Sequence, residues 1–574
     1  MPKKIIFTIS FLFLLSVSPA ALAQPIIGNI ESFNVQPSYD LSGRSEIEAV
    51  LVKNSLSAYW YVEKGWWNGL STAERTEADR TFESLLAEFE VNIYPTITGT
   101  FGSEWSPGID DDTKITILFH PMKQNSGGYN NSADGYPKLQ LPESNEREMF
   151  YLNTDYIGKD LMKSFLAHEL VHLVTFNQKE KTYGATEDVW LNEARAEYAS
   201  TLMGYDDNYE GSNLQNRVNY FLSKPSDSLT EWRERSEDYG VANLFIQYLV
   251  DHYGIGILVD SLQMRKTGIE SINAALLKRG FDEDFPQIFK DWTVAVIIND
   301  CDISEKYCYF NENLKDFRIT PLVNYIPFVG ESTLSVTNST KDWAGNWHRF
   351  VGGEGTLGVD FSWVGAVASS ELPYLLHYSD GRIALGELRF NGFQGGKITI
   401  PDFGSEVSSL TIIPTAKIKI SGFGKLEPSR TFFWSASTIE KSGEEEPVIP
   451  NIISLPKPLS EMSSSEKNQI AGQLEEFLAS LQGTSGECTI NQDLYFGMDD
   501  NEQVRCLQEF LKSRGQDIYP EGLVTGNFYT LTEQAVTRFQ NKYASEILSP
   551  WGLTQGTGFV GSTTRAKINE LLSL

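Results

Sequence analysis

Over the first half of the chain, short alternating runs of apolar and polar residues are separated by stretches in which apolar residues recur at helical spacing. Ala58-Tyr59-Trp60-Tyr61-Val62 and Lys114-Ile115-Thr116-Ile117-Leu118-Phe119 predict strands, while residues 72–89 keep their apolar side chains on one helical face. The glycines and asparagines of residues 127–135 predict a hairpin or an edge strand, and Met149-Phe150-Tyr151-Leu152 a further strand. This α+β pattern extends over residues 24–325. From residue 326 to 440 the helical period disappears. Residues 358–363, 397–400 and 417–420 alternate between turn signals, which predicts an all-β sandwich domain. Its aromatics either fill its own core or bind a ligand, and core filling is the simpler account.

Residues 441–485 combine two features. The first part, to Pro458, is rich in Glu, Pro and Ser and predicts a linker. Ser463-Ser464-Ser465-Glu466 then forms a capping box, followed by a helical stripe of Ile470, Leu474, Phe477, Leu478 and Leu481. Residues 486–574 predict a small α-helical domain with an internal echo. Thr525-Gly526-Asn527-Phe528 precedes one helix, capped by Thr530 and Glu533, and Thr557-Gly558-Phe559-Val560-Gly561 precedes another.

Residues 1–23 have the layout of a secretory signal peptide: Lys3 and Lys4, an apolar run from Ile5 to Val17, then Ala21-Leu22-Ala23. A membrane anchor is the alternative, but the run is shorter than the roughly 20 residues a spanning helix needs. A mature chain starting near Gln24 is expected outside the cytoplasmic membrane, with no later span. Losing Lys3 and Lys4 takes the formal charge from −29 to −31, which disfavours nucleic acid and anionic lipid as partners. The cysteines fall into two local pairs, Cys301 with Cys308 and Cys488 with Cys506. An oxidising compartment favours two disulfides, and a thiolate zinc site is the weaker alternative because neither pair has ligand spacing.

The chemistry concentrates in residues 164–176, a predicted helix containing His168-Glu169-Leu170-Val171-His172. Spacing of i, i+4 brings both imidazoles to one face, where they can share a metal. Two packed or exposed histidines flanking a solvated Glu is the plain alternative, although the chain has only six histidines. A catalytic zinc needs a third protein ligand and an open position. Trp190-Leu191-Asn192-Glu193-Ala194-Arg195-Ala196-Glu197-Tyr198 offers Glu193 as that ligand, far enough on for a helix end, a loop and a return helix. Glu197 lies one turn further on the same face and is suited to orient a ligating imidazole.

These two motifs resemble the gluzincin metallopeptidases, and residues 190–198 look most like secreted, hyicolysin-type members. The resemblance spans roughly residues 58–254 and implies a zincin-like metallopeptidase domain. It implies one catalytic zinc ion on His168, His172 and Glu193, with Glu169 as general base. It also implies a substrate-binding edge strand near residues 127–136. Asp238-Tyr239-Gly240-Val241-Ala242 is similar to the segment that carries a transition-state tyrosine in aminopeptidase-like gluzincins, which makes Tyr239 the candidate oxyanion donor. His252 is its rival, because other members use a histidine there. No Gly-x-Met-Glu-Asn exopeptidase motif is present, which favours an endopeptidase. Residues 488–574 resemble bacterial peptidoglycan-binding domains through Glu502-Gln503-Val504-Arg505-Cys506-Leu507-Gln508, Thr532-Glu533-Gln534-Ala535-Val536 and Phe539-Gln540, with Tyr529 standing where glycine is common.

The expectation is therefore a secreted or envelope-bound bacterial zinc metallopeptidase acting on protein or peptide substrates and addressed to peptidoglycan. A non-catalytic wall-binding or adhesion protein and a hydrolase of peptidoglycan cross-bridge peptides are the competing readings.

Overall fold

The computed structural model describes residues 25–123, 126–327, 332–364, 371–390, 395–439, 489–496, 498, 501–520 and 522–572. The predicted signal segment, the linker with its amphipathic helix, and Cys488 lie outside the described residues. The chain divides into two compact units, one ending at Gly443 and one beginning at Glu444.

The first unit opens with a six-stranded sheet of β1 (Ile30–Asn34), β2 (Glu46–Asn54), β3 (Ala58–Glu63), β4 (Ile115–His120), β5 (Gly128–Asn130) and β6 (Met149–Asn153), in the order β1-β2-β3-β4-β6-β5. The near-continuous apolar runs of β3, β4 and β6 reflect cover on both faces. Trp60, Val62, Ile117, Phe119, Phe150 and Leu152 face the helices, whereas Tyr59, Tyr61, Leu118 and Tyr151 face a smaller cluster with Phe33, Ile47 and Tyr129. β3, β4 and β6 are parallel, and β5 closes the edge antiparallel to β6. The Gly- and Asn-rich stretch thus supplies an edge strand.

The helices are α1 (Lys64–Gly69), α2 (Thr72–Glu88), α3 (Tyr94–Phe101), α4 (Leu161–Thr175), α5 (Val189–Leu202), α6 (Asn213–Ser223), α7 (Ser236–Tyr253), α8 (Gly256–Leu262), α9 (Gly268–Arg279) and α10 (Phe285–Ile298). Ser71 and Glu74 form the capping box that starts α2. α4 is amphipathic only in part: Leu166, Ala167, Leu170, Val171 and Val174 enter the core, and the remaining face carries the histidines. Between α4 and α5 the chain is tied by buried charges. Lys179 Nζ donates to the carbonyls of Ser261 at 2.6 Å, Met264 at 3.0 Å and Lys266, and Arg195 Nη2 donates to Glu187 Oε2 at 3.1 Å. Glu187 Oε1 accepts from the Gly268 amide at 2.8 Å, so the α4–α5 loop is fastened to the start of α9.

The second half of this unit is all-β, as its alternation predicts. β7 (Leu322–Ile326), β8 (Ser332–Thr340), β9 (His348–Gly352), β10 (Gly355–Trp363), β11 (Glu371–Tyr378), β12 (Ile383–Arg389), β13 (Gly395–Phe403), β14 (Val407–Ile412) and β15 (Arg430–Ile439) share one hydrogen-bonded sheet around one core. Residues 417–420 are not a strand, contrary to their alternating pattern. Ion pairs hold this segment instead: Lys417 reaches Glu371 at 3.2 Å and Lys419 reaches Glu427 at 2.7 Å, while the Lys419 carbonyl accepts from Trp343 Nε1 at 2.5 Å. Trp343 and Trp347 join the helical core, with the Trp343 ring 4.9 Å from Phe285 and Trp347 Nε1 donating to the Thr293 carbonyl at 2.8 Å. Cys301 and Cys308 are disulfide-bonded as predicted.

The second unit contains α11 (Glu502–Ser513), α12 (Thr530–Lys542), α13 (Ala544–Ile547) and α14 (Ser562–Leu572) around its own core of Leu507, Phe510, Val536, Phe539 and Ile568. Its internal echo is a duplication at the level of hydrogen bonds. Gln508 Oε1 accepts from the Thr525 and Gly526 amides at 2.6 and 2.8 Å, and its Nε2 donates to the Asn527 carbonyl and Thr532 Oγ1. Gln540 does the same to Thr557, Gly558, Phe559 and Thr564. Thr530 is the first helical residue of α12 and makes no cap; the preceding turn is held by Gln508 instead.

Candidate metal centre

His168 and His172 lie one turn apart on α4, and the chain returns through α5 to set Glu193 against them. His168 Nε2 and His172 Nε2 are 3.1 Å apart, and Glu193 Oε2 is 3.4 Å from the first and 3.6 Å from the second. The centre of such a triangle is about 2 Å from each corner, the bond length zinc makes to imidazole nitrogen and carboxylate oxygen. Glu193 Oε2 is buried without a hydrogen-bond partner, a cost that a cation at the triangle's centre would remove. Among the described residues this is the one cluster of three such groups spaced to hold a metal ion. The donor set of two imidazoles and one carboxylate suits zinc.

Electrostatics follow from packing anions and imidazoles together in a buried place. Burial alone would lower the pKa of His172, but Glu193, Glu169 and Asn192 outweigh it and push it up to about 9. Burial would raise Glu193, yet His172 and His168 hold it well below the usual carboxylate range.

The Glu169 carboxylate lies against the sheet edge. A Cβ on Gly128 would come within 2.9 Å of Glu169 Oε1 and 2.6 Å of the Tyr151 carbonyl oxygen. The β5 backbone therefore crosses directly over this carboxylate, and only glycine fits there. Burial raises Glu169 to about 7, with Glu193 and Glu197 adding to the rise and both imidazoles opposing it. Its Oε2 has no hydrogen-bond partner.

Glu197, one turn beyond Glu193, places Oε1 3.5 Å from His168 Nδ1, at the outer edge of hydrogen-bond reach. Tyr239 is close enough to Glu193 to feel its charge. Burial, then the Glu193 charge and Tyr39, raise its phenol well above the ordinary value. His252 does not join the site. Its Nε2–H donates to the Cys308 carbonyl at 2.9 Å, and its ring packs on Tyr248 and Phe310 beside the disulfide.

Sequence reasoning missed four contributors. Arg217 donates to both oxygens of Glu197 at 2.7 Å, and Asn213 and Asn243 donate to its Oε2 at 3.1 and 3.2 Å. Tyr39 feels the same charges: burial, then Glu234, Glu169 and Glu193, push its phenol up to about 12. Its ring stacks 4.5 Å from Tyr129 of β5. Asn192, beside Glu193 on α5, is also among the groups that raise His172.

No known protein family matches the sequence, and none of the curated proteins does. Among solved structures, 21% of the chain is similar to 98% of Aeromonas hydrophila PliG, a periplasmic lysozyme inhibitor of g-type lysozyme, at 12% identity and a TM-score of 0.14. A further 12%-identical likeness, with a TM-score of 0.13, links 20% of the chain to 96% of the pre-peptidase C-terminal domain of a collagenase from Bacillus anthracis. At these scores neither bears on the reading of the site.

Proposed function

We propose that the chain is an exported zinc-dependent endopeptidase, built on a zincin-like α+β unit, that hydrolyses peptide bonds of protein substrates. The observation that carries this reading is the triangle of His168, His172 and Glu193 beside a buried carboxylate that is not one of its corners. His168, His172 and Glu193 would hold the ion. When bound, zinc supplies a Lewis acid that lowers the pKa of water to about 7 and polarises a carbonyl.

The chain's own residues do the rest. Glu169, with a pKa of about 7, is matched to take a proton from the attacking water near neutral pH and to pass it to the leaving amine. Tyr239, still protonated at neutral pH, has a hydroxyl to offer the developing oxyanion. Among the described residues β5 is the last strand of the sheet, and its outer edge is where an extended peptide would add as a further strand. The mature chain is expected to hydrolyse unfolded casein and to lose that activity in a chelator, regaining it with zinc. A folded, zinc-loaded protein that leaves casein intact sinks this reading.

The second unit is the proposed wall address. Tyr495, Phe496, Phe559 and Trp551 are exposed, with the Tyr495 and Phe559 rings 6.3 Å apart and nearly parallel. Exposed aromatic clusters mark binding surfaces, and their flat faces stack on sugars. The full chain should sediment with purified peptidoglycan sacculi, and the pair Phe559→Ala and Trp551→Ala should leave most of it in the supernatant. Equal sedimentation of both proteins removes these rings from the role.

A further inference from the structure

We infer that Arg217 is a positioning residue that sets two parts of the metal centre at once, the Glu197 carboxylate facing His168 and the ring of Tyr239. The inference rests on the metal-centre reading but concerns a residue outside both sequence motifs.

The guanidinium approaches Glu197 as a fork, with Nε 2.7 Å from Oε2 and Nη2 2.7 Å from Oε1. Two parallel bonds fix the plane of the carboxylate as well as its distance. Asn213 and Asn243 hold the same carboxylate through Oε2, so the edge turned to His168 Nδ1 is Oε1. A carboxylate in that place selects the tautomer and the ring orientation of the imidazole. The same guanidinium lies over Tyr239, with Cζ 5.0 Å from the ring centre, and the Trp232 ring meets Tyr239 edge-on at 4.9 Å. Tyr239 is thus contacted by both a cation and an indole.

Backbone packing makes this reach possible. A Cβ on Gly240 would come 2.6 Å from the Phe221 amide nitrogen and 3.1 Å from the Arg217 carbonyl oxygen. α6 and α7 therefore touch through bare backbone at the residue next to Tyr239, which brings the α6 arginine across α7 to α5. A lysine has one point charge and cannot bond both oxygens while lying flat on a ring.

The test uses the full mature chain with Arg217→Met and Arg217→Lys, reading zinc affinity by competition with a chromophoric chelator and, separately, kcat and KM. Arg217→Met is expected to weaken zinc about tenfold to a hundredfold, the usual cost of losing an outer support. Arg217→Lys should recover only part of it. Glu197→Gln should weaken zinc similarly, and its combination with Arg217→Met should be no worse than the worse single change. Tyr239→Phe should lower kcat in the parent and much less in Arg217→Met. Wild-type zinc affinity in both folded Arg217 variants overturns the inference, as do losses that simply add. If Arg217→Met fails to fold, Arg217→Lys, which keeps the buried charge, decides alone. Because zinc affinity is read without turnover, an inactive parent would defeat the peptidase reading while leaving this inference to stand or fall on its own.

Discussion

Glu169→Gln should lower kcat for casein about a thousandfold, in the middle of the range general acid–base catalysis contributes, and should leave zinc content unchanged. Three features separate the two effects. Glu169 is not a corner of the His168, His172, Glu193 triangle. The amide has nearly the same shape as the carboxylate, so it fits under Gly128 as tightly. It has no proton affinity near pH 7, whereas the carboxylate is raised by burial to about 7. Folding should not suffer, since the exchange removes a charge that burial penalises. Metal analysis, a melting curve and kcat measured on one preparation test this. Normal casein cleavage by the zinc-loaded variant would remove Glu169 from the base role, and loss of zinc would mean that it belongs to the ligand set.

Glu193→Ala should weaken zinc binding at least about a hundredfold, because it leaves two imidazoles where a catalytic zinc needs three protein ligands. It should also change how zinc binding depends on pH. In the metal-free parent, Glu193 above all opposes the effect of burial and pushes the His172 pKa up to about 9. Zinc must displace the His172 proton, so parent affinity rises by up to about tenfold per pH unit between pH 6.5 and 9. Without Glu193, the largest opposition to burial at His172 is gone and its pKa falls, so the residual affinity should rise less steeply over the same interval. Equilibrium dialysis at pH 6.5, 7.5 and 8.5 distinguishes the cases. Full metal retention by Glu193→Ala would end its assignment as a ligand.

The sequence made the centre of the site legible because helical geometry is local. Four positions bring His168 over His172, and four more bring Glu197 under Glu193, whatever the rest of the fold does. Arg217, Asn213, Asn243 and Tyr39 were not legible, since each reaches the site through the packing of a distant element and belongs to no local repeat. Tyr239 and His252 show the limit well. Both lie on α7, thirteen positions apart, which is about 20 Å along the axis and about 140° around it. Periodicity shows that both cannot face one metal, but not which of them does. Residues 417–420 misled for another reason: alternation says only that side chains point in opposite directions, and a loop whose lysines reach for Glu371 and Glu427 satisfies that as well as a strand does.

The buried charges between α4 and α5 bear on what becomes of the molecule when its ion is stripped away. Lys179 is gripped by three carbonyls, and Glu187 ties Arg195 of α5 to the start of α9, so the register of the two ligand-bearing helices is kept by contacts that use no metal. Small zinc domains collapse without their ion because nothing else joins their ligands; here these contacts are expected to keep the ligands assembled. On the proposed function, a stripped enzyme is dormant and intact, able to be revived by the next ion it meets. Outside the cell, its activity would rise and fall with the zinc supply without the chain having to be made again.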